Sequence, residues 1–184
     1  ILQSLPQAIQ IMLDPADCGP ACLSLSQDIQ GEVFNYPEEF FKERVHTIRR
    51  PKADDFQIKR AAEKIKKTKC PIIISGGGVF YSDAMDELGN FATKHNIPVT
   101  QTVMGYSTMK RDHPYFVGPI GGLGGRAANN LAKQTDMAIA VGTKLGDFTT
   151  GSWANFENPD FKLVSINVAR FDASKHMAQS VIGD

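Results

Sequence analysis

"CPIIISGGGVFYSDAMDEL", residues 70–88, decides how this chain is read. An apolar, β-branched run passes directly into three glycines, Gly76 to Gly78, and then into a helical pattern. Uninterrupted β-branched residues suit a strand covered on both faces, and a helix entered through a tight glycine turn opens a βαβ unit. The same turn is how a phosphate cradle begins. Glycine lets the backbone approach a pyrophosphate, and the free N–H groups at a helix start favour an anion. A cradle and a plain structural turn are both open at this point.

The surrounding sequence repeats the alternation. Upstream, Asp54 or Asp55 can cap a helix whose apolar stripe is Ile58, Ala61, Ala62 and Ile65. Downstream, Ser82 or Asp83 starts a helix with Ala84, Leu88, Phe91 and Ala92 inward, and "IPVTQT" is the next strand. After a loop containing "GPIGGLGG" comes a short helix from Arg126 to Gln134 with Ala127 and Leu131 inward; "DMAIAVG", "FKLVSIN" and "QSVIG" are further strands. Continuously apolar strands separated by helices mean a parallel sheet covered on both faces. The fold expected over 54–184 is therefore α/β, a Rossmann-like doubly wound sheet.

The first third of the chain reads differently. Residues 3–13 suggest the end of an amphipathic helix, "DPADCGP" is turn chemistry, and "ACLSLS" reads as a buried strand. Residues 1–30 are expected to be the tail of a preceding α/β domain, and the Pro-bearing, charged stretch 31–53 an interdomain linker. The chain opens on Ile1 and stops at "SVIGD", so it reads as a piece of a larger protein with its central domain truncated.

Twenty basic and twenty acidic residues balance, which recommends neither a nucleic-acid nor an anionic-membrane partner. The run "KRAAEKIKKTK" fits a solvated helix face whose charges complement the helix dipole. No apolar run approaches the about 18 residues a membrane span needs, and no signal-peptide pattern opens the chain. Cys18, Cys22 and Cys70 make no disulfide framework or metal spacing, and they read as reduced, structural residues of a cytoplasmic protein. The four histidines, His46, His95, His113 and His176, are scattered and read as surface or capping residues.

Three glycine-bearing loops leave strands at the edge where parallel sheets bind ligands: "SGGGV" at 75–79, "GPIGGLGG" at 118–125 and "VGTKLGDFTTGS" at 141–152. Their convergence favours a dinucleotide-shaped groove. Against it, "GGGVFY" is not G-x-G-x-x-G, since Phe80 and Tyr81 fall where the third glycine belongs. Asp83, Asp86 and Glu87 also crowd the first turn of the helix expected next, where a phosphate would meet like charge. No nucleophile–base pair, paired carboxylates or metal-binding motif is present, so spacing alone yields no reaction. Asp147 is polar and loop-borne but has no visible partner.

Taken together, "GPACLSLSQDIQ", "PIIISGGGVFYSDA", "VGTKLGDFTTGSW" and "INVARFDASKH" resemble the thiamine-diphosphate-dependent enzymes, at the junction of their pyrimidine-binding and central domains. Ser26 stands where many members have proline. "DFTTGSW" and "INVARFDASKH" are most similar to the branch that hydrolyses a cyclic 1,2-dione in inositol degradation. The resemblance implies a full-length, homo-oligomeric enzyme in which thiamine diphosphate and Mg2+ serve the cleavage of a ring C–C bond. It implies that this chain is the non-catalytic central domain, whose partners are the pyrimidine- and diphosphate-binding domains outside it, and that the chain alone holds neither cofactor. In flavin-containing members the central domain holds FAD along loops matching Gly76 to Gly78, Gly121 to Gly125 and Thr143 to Gly151, with Gly76, Gly77, Gly78, Gly121, Gly122, Thr143 and Lys144 the candidate groove residues. Here Lys144, "LGDF" and Asn167 replace an arginine, an aspartate-rich run and an acid, so the resemblance implies a nucleotide groove that has lost FAD. An acetolactate-synthase-like fragment and a stand-alone nucleotide-binding module are the rival readings.

Overall fold

The computed structural model describes residues 1–184, which form two compact units, Ile1–Arg50 and Pro51–Asp184. The first carries one helix, α1 (Ser4–Met12), and two single 3-10 turns, Ile29–Gly31 and Glu38–Phe41. Phe34, Tyr36, Phe40 and Phe41 cluster there with ring centroids 5.0–5.9 Å apart. The expected strand "ACLSLS" does not form. Those residues are irregular and exposed, and residues 1–50 contain no strand to pair with them. The three cysteines are free and exposed, so none serves the core.

The second unit is the expected alternation. Helix α2 (Asp55–Ile65) leads to β1 (Pro71–Ser75), α3 (Gly77–Tyr81), α4 (Met85–His95), β2 (Val99–Gln101) and β3 (Phe116–Pro119). Then follow α5 (Arg126–Gln134), β4 (Met137–Val141), α6 (Asp147–Thr150), β5 (Lys162–Asn167), α7 (Arg170–Ala173) and β6 (Gln179–Ile182). All strand pairs are parallel, in the order β3-β2-β1-β4-β5-β6. This is the doubly wound α/β order, which reverses between β1 and β4.

Burial explains why β1 is central. Ile72, Ile73 and Ile74 are all within 2% of fully buried, and each is worth roughly 1.5–3 kcal/mol on leaving water. Alternation then splits the core in two. Ile73 joins Val99, Ile139, Val164 and the buried residues of α2 and α4 on one face. Ile72 and Ile74 join Ala138, Ala140, Leu163 and the buried alanines of α5 on the other.

Several local expectations change in detail. Asp54 caps α2 by accepting from the amides of Phe56 (2.9 Å) and Gln57 (3.3 Å), but Ile58 points out and Ala61 is the buried residue. On α5, Ala128 and Ala132 are buried, Leu131 is half-buried and Ala127 is exposed, a shift of one residue from the expected face. The helix expected from Ser82 or Asp83 starts at Met85 as α4 with Leu88 and Ala92 buried, and a separate short helix, α3, precedes it. Asp83 stands at φ 54° in the break, and Phe91 is partly exposed on α4. No helix is long and apolar enough to cross a membrane.

At the amino edge of the sheet, Asp136 holds the entry to β1. Its carboxylate accepts from the Thr68 hydroxyl, the Lys69 amide (2.7 Å) and the Cys70 amide (3.0 Å). The neighbouring Thr135 hydroxyl lies within donating distance of the carbonyls of Cys70 (2.6 Å) and Met137 (2.8 Å), with one proton to give to either. Burial alone pushes the Asp136 carboxyl up, but the hydrogen bonds outweigh it and the pKa lies below the ordinary aspartate value. A depressed pKa stabilises the fold fully above the unfolded value and loses that contribution as pH falls through the native one. Asp136→Asn should therefore cost about 1–2 kcal/mol in urea unfolding at pH 7, with the gap to the parent closing below about pH 4. A gap independent of pH would show that the charge plays no part.

Candidate functional site

The three glycine loops do meet at the carboxyl edge, but they meet one another. The Gly76 amide donates to the Val141 carbonyl (2.8 Å) and the Gly78 amide to the Gly142 carbonyl (2.9 Å). A side chain at Gly78 would put its Cβ 2.6 Å from the Gly142 Cα, and one at Gly76 would overlap the Gly142 carbonyl. Gly142 itself sits at φ 59°. Gly77 passes the Met104 carbonyl so closely that a Cβ would stand 2.9 Å from it. The glycine run is thus required by backbone packing at the β1/β4 switch point.

The loop after β3 is spent in the same way. Gly121, at φ 100°, is gripped by Asn129 on α5: its amide donates to Oδ1 (2.9 Å) and its carbonyl accepts from Nδ2 (3.0 Å). The Gly122 amide donates to the Phe148 carbonyl (2.7 Å), Gly124 to Gly121 (2.9 Å) and Gly125 to Pro119 (2.8 Å). In the loop after β4, the buried Thr143 accepts the Leu145 amide on its hydroxyl (3.3 Å) and the Asn167 Nδ2 on its carbonyl (3.1 Å). Asn167 Oδ1 accepts the Ala169 amide (2.9 Å). Lys144 is exposed. Gly76, Gly77, Gly78, Gly121, Gly122, Thr143 and Lys144 therefore share one edge, but most of the amides an anion would need already have carbonyl or side-chain acceptors.

One part of the sequence argument changes. Helix α3 starts within the glycine run, at Gly77, and has no acidic residue in its first turn. Asp86 and Glu87 open α4, and Asp83 lies in the break between the two helices. Like-charge repulsion at the glycines is removed as an objection; the occupied amides replace it. Asn129 and Gly142 are the contributors that sequence reasoning passed over. Asn129 gave no signal as a mid-helix polar residue, and Gly142 was visible only as one glycine of a loop. No three His, Cys, Asp or Glu side chains come together as a metal-binding group.

If the glycines serve packing, Gly78→Ala should destabilise the protein by about 2–3 kcal/mol in denaturant unfolding. Gly146→Ala on the same edge, where nothing lies within 4 Å of the new Cβ, should cost less than about 1 kcal/mol. Equal, small effects would return Gly78 to the role of a ligand cradle.

Comparison with known proteins agrees with this architecture. Residues 58–184 match the family model of the thiamine pyrophosphate enzyme central domain. The chain is 44% identical over all 184 residues to a 3D-(3,5/4)-trihydroxycyclohexane-1,2-dione hydrolase of Clostridium perfringens, and 46% identical to one of Clostridium botulinum. It spans 29% of the length of each. An X-ray structure described as a thiamin diphosphate-dependent enzyme from Mycobacterium smegmatis superposes with a TM-score of 0.59 at 20% identity, over 77% of this chain and 27% of that one, a likeness of fold. The chain belongs to the thiamine pyrophosphate enzymes, and its parallel sheet is their central domain.

Proposed function

We propose that this chain is the central, supporting part of a longer enzyme that hydrolyses 3D-(3,5/4)-trihydroxycyclohexane-1,2-dione in inositol degradation. The observation that carries the reading is 44–46% identity, along all 184 residues, to hydrolases of that name. On this reading residues 1–30 end a pyrimidine-binding domain, 31–53 are a linker, and 54 onward is the central domain of a cytoplasmic, homo-oligomeric enzyme.

The residues present do not fit thiamine diphosphate. Its diphosphate needs free donors and a divalent cation, whereas most of the glycine-loop amides are committed to one another and no trio of acidic, His or Cys ligands forms. On this reading the coenzyme and Mg2+ would be held by other parts of the longer protein. The same occupied amides, with Asn167 tied to Thr143 and Ala169, support a domain without FAD.

The full-length protein, supplied with thiamine diphosphate and Mg2+, should consume the cyclic dione and should not form acetolactate from pyruvate. Both substrates are assayed side by side by chromatography of products. Acetolactate formation without ring opening would assign the protein to the synthases instead.

A further inference from the structure

The connection from β2 to β3, residues 102–115, is anchored at two places. Near its start the buried Thr108 hydroxyl accepts from Ser75 Oγ at the end of β1 (2.6 Å) and donates to the Gly105 carbonyl (2.7 Å). Near its end the anchor is an imidazole. The half-buried His113 lies against Gly89 on α4, where an added Cβ would stand 3.6 Å from Nε2. Its Nδ1 accepts the Tyr115 amide (3.3 Å), and its Nε2 lies 3.3 Å from the Thr93 hydroxyl. The Tyr115 hydroxyl in turn donates to Oδ1 of Asn96, the residue that ends α4.

These partners select one protonation state. A backbone amide can only donate, so Nδ1 carries no proton. The Thr93 hydroxyl gives its proton to the Gly89 carbonyl (2.9 Å), so towards Nε2 it is an acceptor. His113 is therefore neutral, with its proton on Nε2. An imidazolium would set an Nδ1–H against the Tyr115 N–H, donor against donor, and that bond would be lost. The entry to β3 rests on the same residues. The Tyr115 carbonyl accepts the Val99 amide (2.8 Å) and the His113 carbonyl the Phe116 amide (2.9 Å), at a strand whose one neighbour in the sheet is β2.

On α4, Asp86 shares the side of Gly89 and Thr93, whereas Glu87, Lys94 and His95 fall on other sides, His95 against the Phe91 ring (4.5 Å). The connection itself contributes Lys110, Asp112 and Arg111, the last donating to the Tyr106 hydroxyl (2.9 Å). All of these charged groups are exposed, where water and salt screen them.

We infer that His113 is a pH-sensitive clasp: neutral, it holds the end of the β2–β3 connection to α4, and protonated, it releases that end at Tyr115. The clasp is a property of this unit, whatever reaction the longer protein catalyses.

The test is hydrogen exchange of the full-length protein followed by mass spectrometry, corrected for the intrinsic effect of pH on exchange. From about pH 8 to about pH 5.5 the peptide containing Tyr115 should lose about fivefold in protection, while those covering β1 and β4 keep theirs. His113→Gln, whose amide can accept and donate but does not titrate, should abolish the response, and His95→Gln should leave it intact. A flat profile in the parent overturns the clasp even if the His113 variant does not fold. A response that survives in His113→Gln, or vanishes in His95→Gln, overturns it too. So does an equal loss of protection in β1 and β4, because the opening is then global.

Discussion

Two backbones pass within van der Waals reach at Gly78 and Gly142, and the rest of the carboxyl edge is arranged around that crossing. It lies where the strand order reverses between β1 and β4, the place at which parallel sheets of this kind open a crevice for ligands. Here the first turn of α3 and the loop after β4 use the space for each other. With that contact made, Gly77 is carried against Met104, and the amides of Gly76 and Gly78 are committed to Val141 and Gly142. The chemistry of the edge follows from a packing requirement in the backbone.

The two edges of the sheet divide the labour. At the amino edge, Asp136 and Thr135 gather the polar groups where the chain enters β1 and β4, so a charge is held by several donors in a place that contributes to stability. At the carboxyl edge many of the backbone amides are paired with backbone carbonyls, and large apolar side chains such as Met104 and Phe148 stand exposed beside charged ones such as Lys144. The first arrangement is complete within this unit. The second leaves its apolar groups in water.

The central strands could be read directly because their burial on both faces leaves nothing polar to interrupt them: "PIIIS" and "MAIAV" are uniform to the eye as well as to the core. β3 was hidden by its own composition, since Gly118 at φ 110° and Pro119 are residues that ordinarily argue against a strand, and it forms at the sheet margin where Pro costs least. The break between α3 and α4 turns on one residue, Asp83, whose left-handed backbone no period reveals. "ACLSLS" shows the converse: an apolar run specifies a strand only when neighbouring strands exist to pair with it. The purpose of the glycine run was legible least of all. Its partner Gly142 lies more than sixty residues away, and the spacing of glycines within one loop carries no trace of what that loop will touch.

Asp184, just past β6, hydrogen-bonds to Pro51, so the approach to α2 and the exit from β6 lie side by side. A sheet whose first helix and last strand are joined at one point can change in its interior without moving that point. Lengthening a loop or replacing a helix inside it leaves that junction unchanged. Force applied across the junction is borne first by the Asp184–Pro51 bond and the Gly183–Asn167 bond, before it reaches the sheet. The interior is thereby insulated, mechanically and over evolutionary change, from whatever the surrounding polypeptide does.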